Sequence, residues 1–305
     1  MSENNIQKTA SSLSVMKEKD MAKVNSTQKV VHILVMTALY TFLIAMAIIV
    51  LFPFYWMLIS SVKSIDEYYL TVPTLFPLEF HFENYLQAFK VANLGQLFLN
   101  TIYVGIVSTL LSLVITVISA FAFARLEFKG KNALFAMLLA TMMIPGELFT
   151  ITNYQTVNTF KWMNTYTVLI VPFLVSVFYI YLLRQNFMQI PNELYLAAKV
   201  DGTSDLKYLW KVMIPLSLPT LISITILKMM GAWNSYVWPR LVANREDMRL
   251  ITNGLRNAFT DQGTNMTDYP TQMAAVAIVS FPLFLVFIFL RKYIMKGVSR
   301  SGIKG

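Results

Sequence analysis

The chain has 305 residues, of which 56% are hydrophobic and only 13% charged, with a mean hydropathy of +0.56 and a net charge of +9. Soluble domains carry roughly 25% charged residues, so the composition excludes an ordinary soluble protein and indicates an all-α integral membrane protein. Zero cysteines exclude disulfides and thiol catalysis, and two histidines, His32 near a membrane edge and His81 in a loop, leave no metal-ligand cluster.

Residues 1–30 are polar, rich in Asn, Ser, Gln and Lys, and lack the apolar core of a cleavable signal, so they are expected to form a mobile cytoplasmic tail. Apolar stretches long enough for the roughly 20-residue helix that crosses a bilayer follow at about 31–58, 98–123, 133–149, 166–184, 216–238 and 272–290. They predict six transmembrane helices within a membrane domain over 31–291. The third reaches Ile144, Pro145 and Gly146, which interrupt it.

Between the first two spans, Ser61 to Gln96 holds Pro73, Pro77 and the aromatics Tyr68, Tyr69, Phe76, Phe80, Phe82, Tyr85 and Phe89. Such a loop lies along the membrane surface or packs on a partner. A second loop, at about 240–270, is polar and contains Asp261 and Asp268. Either loop is suited to receive a soluble delivery protein. Residues 292–305 form a basic tail after the last span.

Lysines and arginines divide unevenly: 17 fall on the side of both termini and residues 190–219, 7 on the other, and Lys228 lies inside a span. Because basic loops are retained inside, both termini and the 190–219 segment are expected in the cytoplasm of a multi-pass cell-membrane protein. Topology thus accounts for the positive charge without nucleic-acid binding.

Residues 190–219 are a polar island between apolar runs. Pro191 suits a first helical turn, and Glu193, Leu194, Ala197 and Ala198 share a face. Asp201-Gly202 forms a turn, Ser204 caps a second helix and Asp205 opens its first turn. Leu206, Leu209, Trp210 and Met213 then make a stripe able to pack on the membrane bundle. The island is either a lever gripped by another protein or a plain amphipathic connector on the membrane.

Within the spans, Lys228 is costly at depth and is expected to face water, protein or a partner charge. Asn100, Lys228, Trp233, Asn234 and Tyr236 are candidate lining residues of a pathway, as are Ser108, Ser112 and Thr116, although such groups also knit helices together. The chain has no GxxxxGK loop and no nucleophile elbow, so a non-catalytic role is expected. One rival is a carrier driven by an ion gradient, with Lys228 as its coupling group. That class tends to show an internal repeat and intramembrane carboxylates, and neither is evident. A membrane enzyme would need clustered His, Asp or Cys.

The island resembles the cytoplasmic loop of the membrane-spanning subunits of binding-protein-dependent ABC importers. The match consists of Ile190-Pro191, Glu193-Leu194, Ala197-Ala198, Asp201-Gly202 and Ile214-Pro215-Leu216. Weaker matches surround it: Phe52 to Trp56, Ser60 to Lys63, Glu83 to Tyr85, Ala122 to Leu126, Met143 to Pro145, Trp233-Asn234 with Pro239, and Lys296-Gly297 to Gly305. Together they are similar to the carbohydrate branch, and most to the shorter permease of maltose-type importers. One departure is Leu196, which stands where the family usually has an acidic residue. Either Glu193, one turn earlier, supplies a carboxylate or Leu196 replaces a polar contact by apolar burial.

The resemblance implies a type I ABC importer permease fold, with a coupling-helix loop at about 188–215. It implies a heterodimer with a second, homologous permease, two ATPase subunits, an extracytoplasmic solute-binding protein and a sugar as substrate. ATP and Mg would be held by the ATPases, and no cofactor by this chain. The ATPase-coupling residues it implies are Glu193, Leu196, Ala197, Ala198, Asp201, Gly202 and Pro215, with the tail Gly302 to Gly305 as a second contact.

Overall fold

The structure is a computed structural model that describes the backbone of residues 3–260 and 268–299, and the side chains of 31–259 and 268–291. The chain divides into two units, residues 1–58 and 59–305. Unit one is a single helix, α1 (Glu3–Ser60), whose stretch from Val31 is long and apolar enough to cross a membrane. The helix also runs back through residues expected to form a tail. Residues 3–30 contain neither proline nor glycine, so nothing local breaks it.

Unit two begins with α2 (Ile65–Tyr68) and α3 (Glu83–Val91), followed by the long α4 (Leu94–Arg125). Next come α5 (Lys131–Thr141), a 3-10 turn at Gly146–Phe149, α6 (Thr150–Thr159), α7 (Tyr166–Ile170), a 3-10 turn at Val171–Phe173 and α8 (Val177–Met188). The island contains α9 (Asn192–Val200), α10 (Asp205–Tyr208), a π-helical turn at Leu209–Met213 and α11 (Ile214–Leu216). Last are α12 (Leu218–Trp233), α13 (Val237–Val242), α14 (Ile251–Thr260) and α15 (Tyr269–Ser299).

Among the described residues, three helical stretches are long enough and apolar enough to span: Val31–Ser60, α4 and Tyr269–Arg291. Three bent helix pairs bring the number to six if each is counted as one broken span. Lys131–Thr141 meets Gly146–Thr159 at 82°, Tyr166–Phe173 meets α8 at 46°, and Asp205–Leu216 meets α12 at 81°. Each bend sits at proline: Pro145 with Gly146, Pro172, and Pro215 with Pro219. Proline removes a backbone donor and crowds the preceding turn. The third span was expected to continue to residue 149 and the fifth to 238. The third turns aside after Thr141, and the fifth ends at Trp233, with Asn234 capping it.

The core is organised on α4, which packs against α8 and α12, while α15 packs against α12 and α3. The buried face of α4 is small and weakly polar, with Gly105, Ser108, Thr109, Ser112, Thr116 and Ala120. Small residues let helix backbones approach closely. A β-carbon at Gly105 would already lie 3.3 Å from Met229 of α12. Ser112 and Thr116 therefore belong to the packing seam.

The segment after Ser61 folds on itself. The Asn84 amide donates to the carbonyls of Ser61 (3.0 Å) and Lys63 (2.8 Å), and the Ser61 and Tyr85 hydroxyls are hydrogen-bonded at 2.8 Å. Glu67 accepts from Thr74 Oγ1 (2.5 Å) and from the Leu78 N–H (3.1 Å). Tyr68 stacks on Tyr269 at 5.3 Å between centroids, while Phe76, Phe80 and Phe82 stay exposed. In the second loop, Asp268 caps α15 by accepting from the Thr271 N–H at 3.0 Å. Asp261 and the tail Gly302 to Gly305 lie outside the described residues.

Candidate functional site

The island forms the two helices expected from its turn signals. Pro191 precedes α9, and Glu193 lies in its first turn. The helix ends in a Schellman motif: the Thr203 N–H reaches the Ala198 carbonyl (2.8 Å) and the Gly202 N–H the Lys199 carbonyl (3.0 Å). Gly202 takes φ +69°, a left-handed conformation that side chains resist. Ser204 then caps α10 by accepting from the Lys207 N–H, with Asp205 in the first turn.

A polar clasp closes the hairpin. Asp205 Oδ1 accepts from the Tyr195 hydroxyl and from Lys199 Nζ, both at 2.7 Å, and the ammonium lies 5.4 Å from the Tyr195 ring centroid. Lys199 and then Tyr195 hold the Asp205 carboxyl below its ordinary range, and the bond to Asp205 raises the Lys199 ammonium above its own. Burial, and then the bond to Asp205, pushes the Tyr195 phenol up.

The sign follows directly. A depressed carboxyl contributes stability above its ordinary pKa and loses it as pH falls through the lowered one; a raised lysine loses its contribution as pH rises through the raised value. The clasp is therefore intact from neutral pH up to the lysine range and opens in acid. Asp205→Asn should mimic the acid side at neutral pH. Because the pair is solvent-screened, transport by the assembled protein should fall no more than about fivefold, and added salt should narrow the gap from wild type.

One face of α9 is exposed. Glu193, Leu194, Leu196, Ala197 and Val200 are open, Leu196 and Val200 to 56% and 88%, and the turn residues Asp201 and Gly202 are open too. The opposite face seats Tyr195 and Ala198 against a core of Phe121, Leu183, Phe187, Tyr208, Leu209 and Met213. Glu193 and Leu196 are thus both presented outward. The expected stripe is corrected: Leu209 and Met213 are buried, but Leu206 and Trp210 are 63% and 65% exposed. The buried positions Tyr208, Leu209 and Met213, with Val212 partly buried beside them, keep helical spacing, but on a face one residue round from the expected stripe. Pro215, exposed, lies one residue before the bend at Leu216 and Ser217.

Two arginines brace the hairpin. Arg125, the last residue of α4, is buried and donates through Nη2 to the carbonyls of Phe187 (2.9 Å) and Ile190 (2.5 Å) and through Nη1 to Asn192 Oδ1 (3.3 Å). It therefore ties the end of α4 to the junction of α8 and α9. From α8, Arg184 Nε donates to the Phe123 carbonyl (3.0 Å), and its guanidinium lies 4.1 Å from the Phe135 ring centroid. In the sequence both fall among the 17 basic residues assigned to the inside, with nothing to set them apart as braces. The one signal was Arg125's place in the Ala122 to Leu126 match.

The expected pathway residues separate. Asn100 is fully buried, donating to the carbonyls of Asp247 (2.7 Å) and Arg249 (3.0 Å) and accepting from Tyr166 (2.8 Å). Its amide nitrogen brackets α4 to the 247–249 segment, and its amide oxygen is taken by Tyr166 and Gln96. Trp233 packs against Phe98 with centroids 5.7 Å apart, and the Asn234 amide donates to the Met230 carbonyl. Tyr236 accepts from Arg240 and Arg256. Of the five, Lys228 alone lines the cavity of about 360 Å³ between α4, α8, α12 and α13, where Ser108 joins it.

Known proteins share this architecture. Residues 112–300 match the family described as binding-protein-dependent transport system inner membrane component. The arabinooligosaccharides transport system permease protein AraQ of Halalkalibacterium halodurans is 30% identical over 85% of this chain and 93% of its own. The diacetylchitobiose uptake system permease protein NgcG of Streptomyces coelicolor is 29% identical over 86% and 87%. The sn-glycerol-3-phosphate transport system permease protein UgpE of Escherichia coli is 27% identical over 86% and 95%. In fold, a chain of a bacterial ABC transporter involved in the import of the acidic polysaccharide alginate superposes with a TM-score of 0.75 at 23% identity, over 83% of this chain and 94% of that one. A family match across more than half of its residues, on a helical bundle with the type I permease fold, makes this protein a member of the binding-protein-dependent transport system inner membrane components.

Proposed function

We propose that the chain is one of two different permeases in an ATP-driven importer of sugars or oligosaccharides. Both termini and the α9–α10 hairpin face the cytoplasm, as the distribution of lysine and arginine favours. A separate ATPase grips the hairpin, and ATP and Mg are held there, not in this chain. An extracytoplasmic binding protein delivers the solute to the opposite face. Closure of the ATPases pulls α9, and the membrane helices alternate as rigid bodies between inward-open and outward-open arrangements.

The observation that carries this reading is the exposed apolar face of α9, with Leu196, Ala197 and Val200 open beside a hairpin braced from below by Arg125. A helix lying in a partner's groove presents such a face, whereas a connector resting on the membrane would not need a rigid brace. Asp201, Gly202 and Pro215 act as its hinge, and Leu196 fills the groove at the position where the resemblance leads one to expect an acid. The saccharides in the names of AraQ and NgcG support a sugar substrate. The name of UgpE supports a second reading, a non-sugar polyol phosphate.

The test is cysteine cross-linking in the cysteine-free chain, with Leu196→Cys or Val200→Cys against single cysteines in the groove of the ATPase that copurifies with it. Cross-links that change in yield when ATP is added are expected. Their absence from every groove position, with the ATPase copurifying, would remove the proposed contact. Uptake by the purified chain alone in liposomes would remove the whole reading.

A further inference from the structure

The cavity beside Lys228 has a chemical character that the general transport role does not require. Lys228, half-buried on α12, donates through Nζ to the Phe173 carbonyl at 2.5 Å. An ammonium has three donors, and this carbonyl is a neutral acceptor. Among the described residues no aspartate or glutamate lines the cavity and no salt bridge reaches Lys228. The site therefore holds a cation without a resident counter-charge, at a depth where ionisable groups usually have one.

The remaining walls are those of a saccharide site. Trp238 is fixed by its Nε1–H to the Val168 carbonyl (2.9 Å), and Phe173 stands edge-on to it with centroids 5.6 Å apart. Ser108, Ser176, Ser235 and Tyr179 supply hydroxyls around these rings. Aromatic faces suit the apolar side of a sugar ring, and hydroxyls pair with its hydroxyls. A volume of about 360 Å³ is at the small end of the roughly 300–1,000 Å³ usual for ligand pockets. It accommodates a small saccharide or one end of a longer chain.

We infer that this cavity receives the carboxylate of an acidic saccharide, such as a uronate, and that Lys228 makes the importer prefer acidic over neutral sugars. The inference rests on the saccharide-importer reading above. The competing account is purely structural: Lys228 caps the carbonyl of Phe173 at the end of a broken span, where a cation is favoured by the helix dipole. The two accounts differ in what happens when charge is removed or neutralised in place.

The experiment uses the complete importer, with its partner permease, ATPases and binding protein, in proteoliposomes. The probes are monosaccharides in matched pairs, each neutral sugar beside its uronate, glucose with glucuronate and galactose with galacturonate. Wild type is expected to take up the uronate of at least one pair at least tenfold faster. Lys228→Gln should bring that ratio within threefold of one, and Lys228→Arg should preserve it. Gly231→Asp provides a variant that keeps the lysine. Gly231 lines the same cavity three residues along α12, where neighbours on a helix meet, and a β-carbon there would meet nothing within 4 Å. It should neutralise Lys228 and also abolish the preference. A wild-type preference for neutral sugars would overturn the inference, as would a uronate preference surviving in Gly231→Asp or Lys228→Gln. If wild type imports no saccharide, the saccharide reading fails and the inference falls with it.

Discussion

Replacing Arg125 by alanine should reduce ATP-driven uptake more than tenfold while the chain still inserts in the membrane. The guanidinium satisfies the carbonyls of Phe187 and Ile190 where α8 ends, and it also holds Asn192 at the start of α9. Alanine strands these acceptors in a buried junction. A hydrogen bond from a charged donor contributes roughly 1.5–3 kcal/mol, so losing the two carbonyl bonds costs about 3–6 kcal/mol of local stability. A tenfold effect requires only about 1.4 kcal/mol. Force applied to α9 would then deform the junction instead of moving α4. Lysine, a single point of charge, cannot span the same carbonyls as a planar fork and should restore only part of the activity. Uptake and ATPase copurification, measured together, check this; normal values of both for Arg125→Ala would show that the brace is dispensable.

Substituting Gly202 by valine should leave membrane levels normal but uncouple transport from ATP hydrolysis. The site has open space for a β-carbon, so the obstacle is conformational, at φ +69°. A left-handed residue costs roughly 1–2 kcal/mol for an ordinary L-amino acid, and β-branched side chains fare worse there. Valine would unwind the Schellman turn and misplace α10 relative to α9. Gly202→Asn is the control, because asparagine accepts this conformation at helix ends, and it should retain most uptake. The readouts are solute uptake and ATPase stimulation by loaded binding protein in the reconstituted importer. If the valine variant transports as well as the asparagine variant, the turn does not transmit force.

The hairpin itself was legible in the sequence because its signals are local. Pro191, Asp201-Gly202 and Ser204-Asp205 each act within a few residues, and the helix ends fall where they predict. Pro145-Gly146 likewise marked a true bend. What remained hidden joins residues distant in sequence. Arg125 reaches residues 62 to 67 positions on, and Asn100 holds carbonyls 147 and 149 positions away. A polar residue in an apolar run looks the same whether it faces a solute or a buried carbonyl, which is why Asn100 was grouped with Lys228. The buried face of α10 and the turn after it was equally ambiguous, since Leu206, Leu209, Trp210 and Met213 fit a helical stripe no worse than Tyr208, Leu209, Val212 and Met213, which the fold turns inward.

The length of α4 has a consequence for timing. Its 32 residues, Leu94–Arg125, run without a break, a rod of about 48 Å at 1.5 Å per residue that carries the Asn100 bracket towards one end and the Arg125 brace at the other. The bent spans around it contain proline joints that can yield, but this rod has none. On the proposed reading, whatever displaces the end at Arg125 arrives at the end near Asn100 in the same stroke, so the two mouths of the passage are linked like the ends of a seesaw.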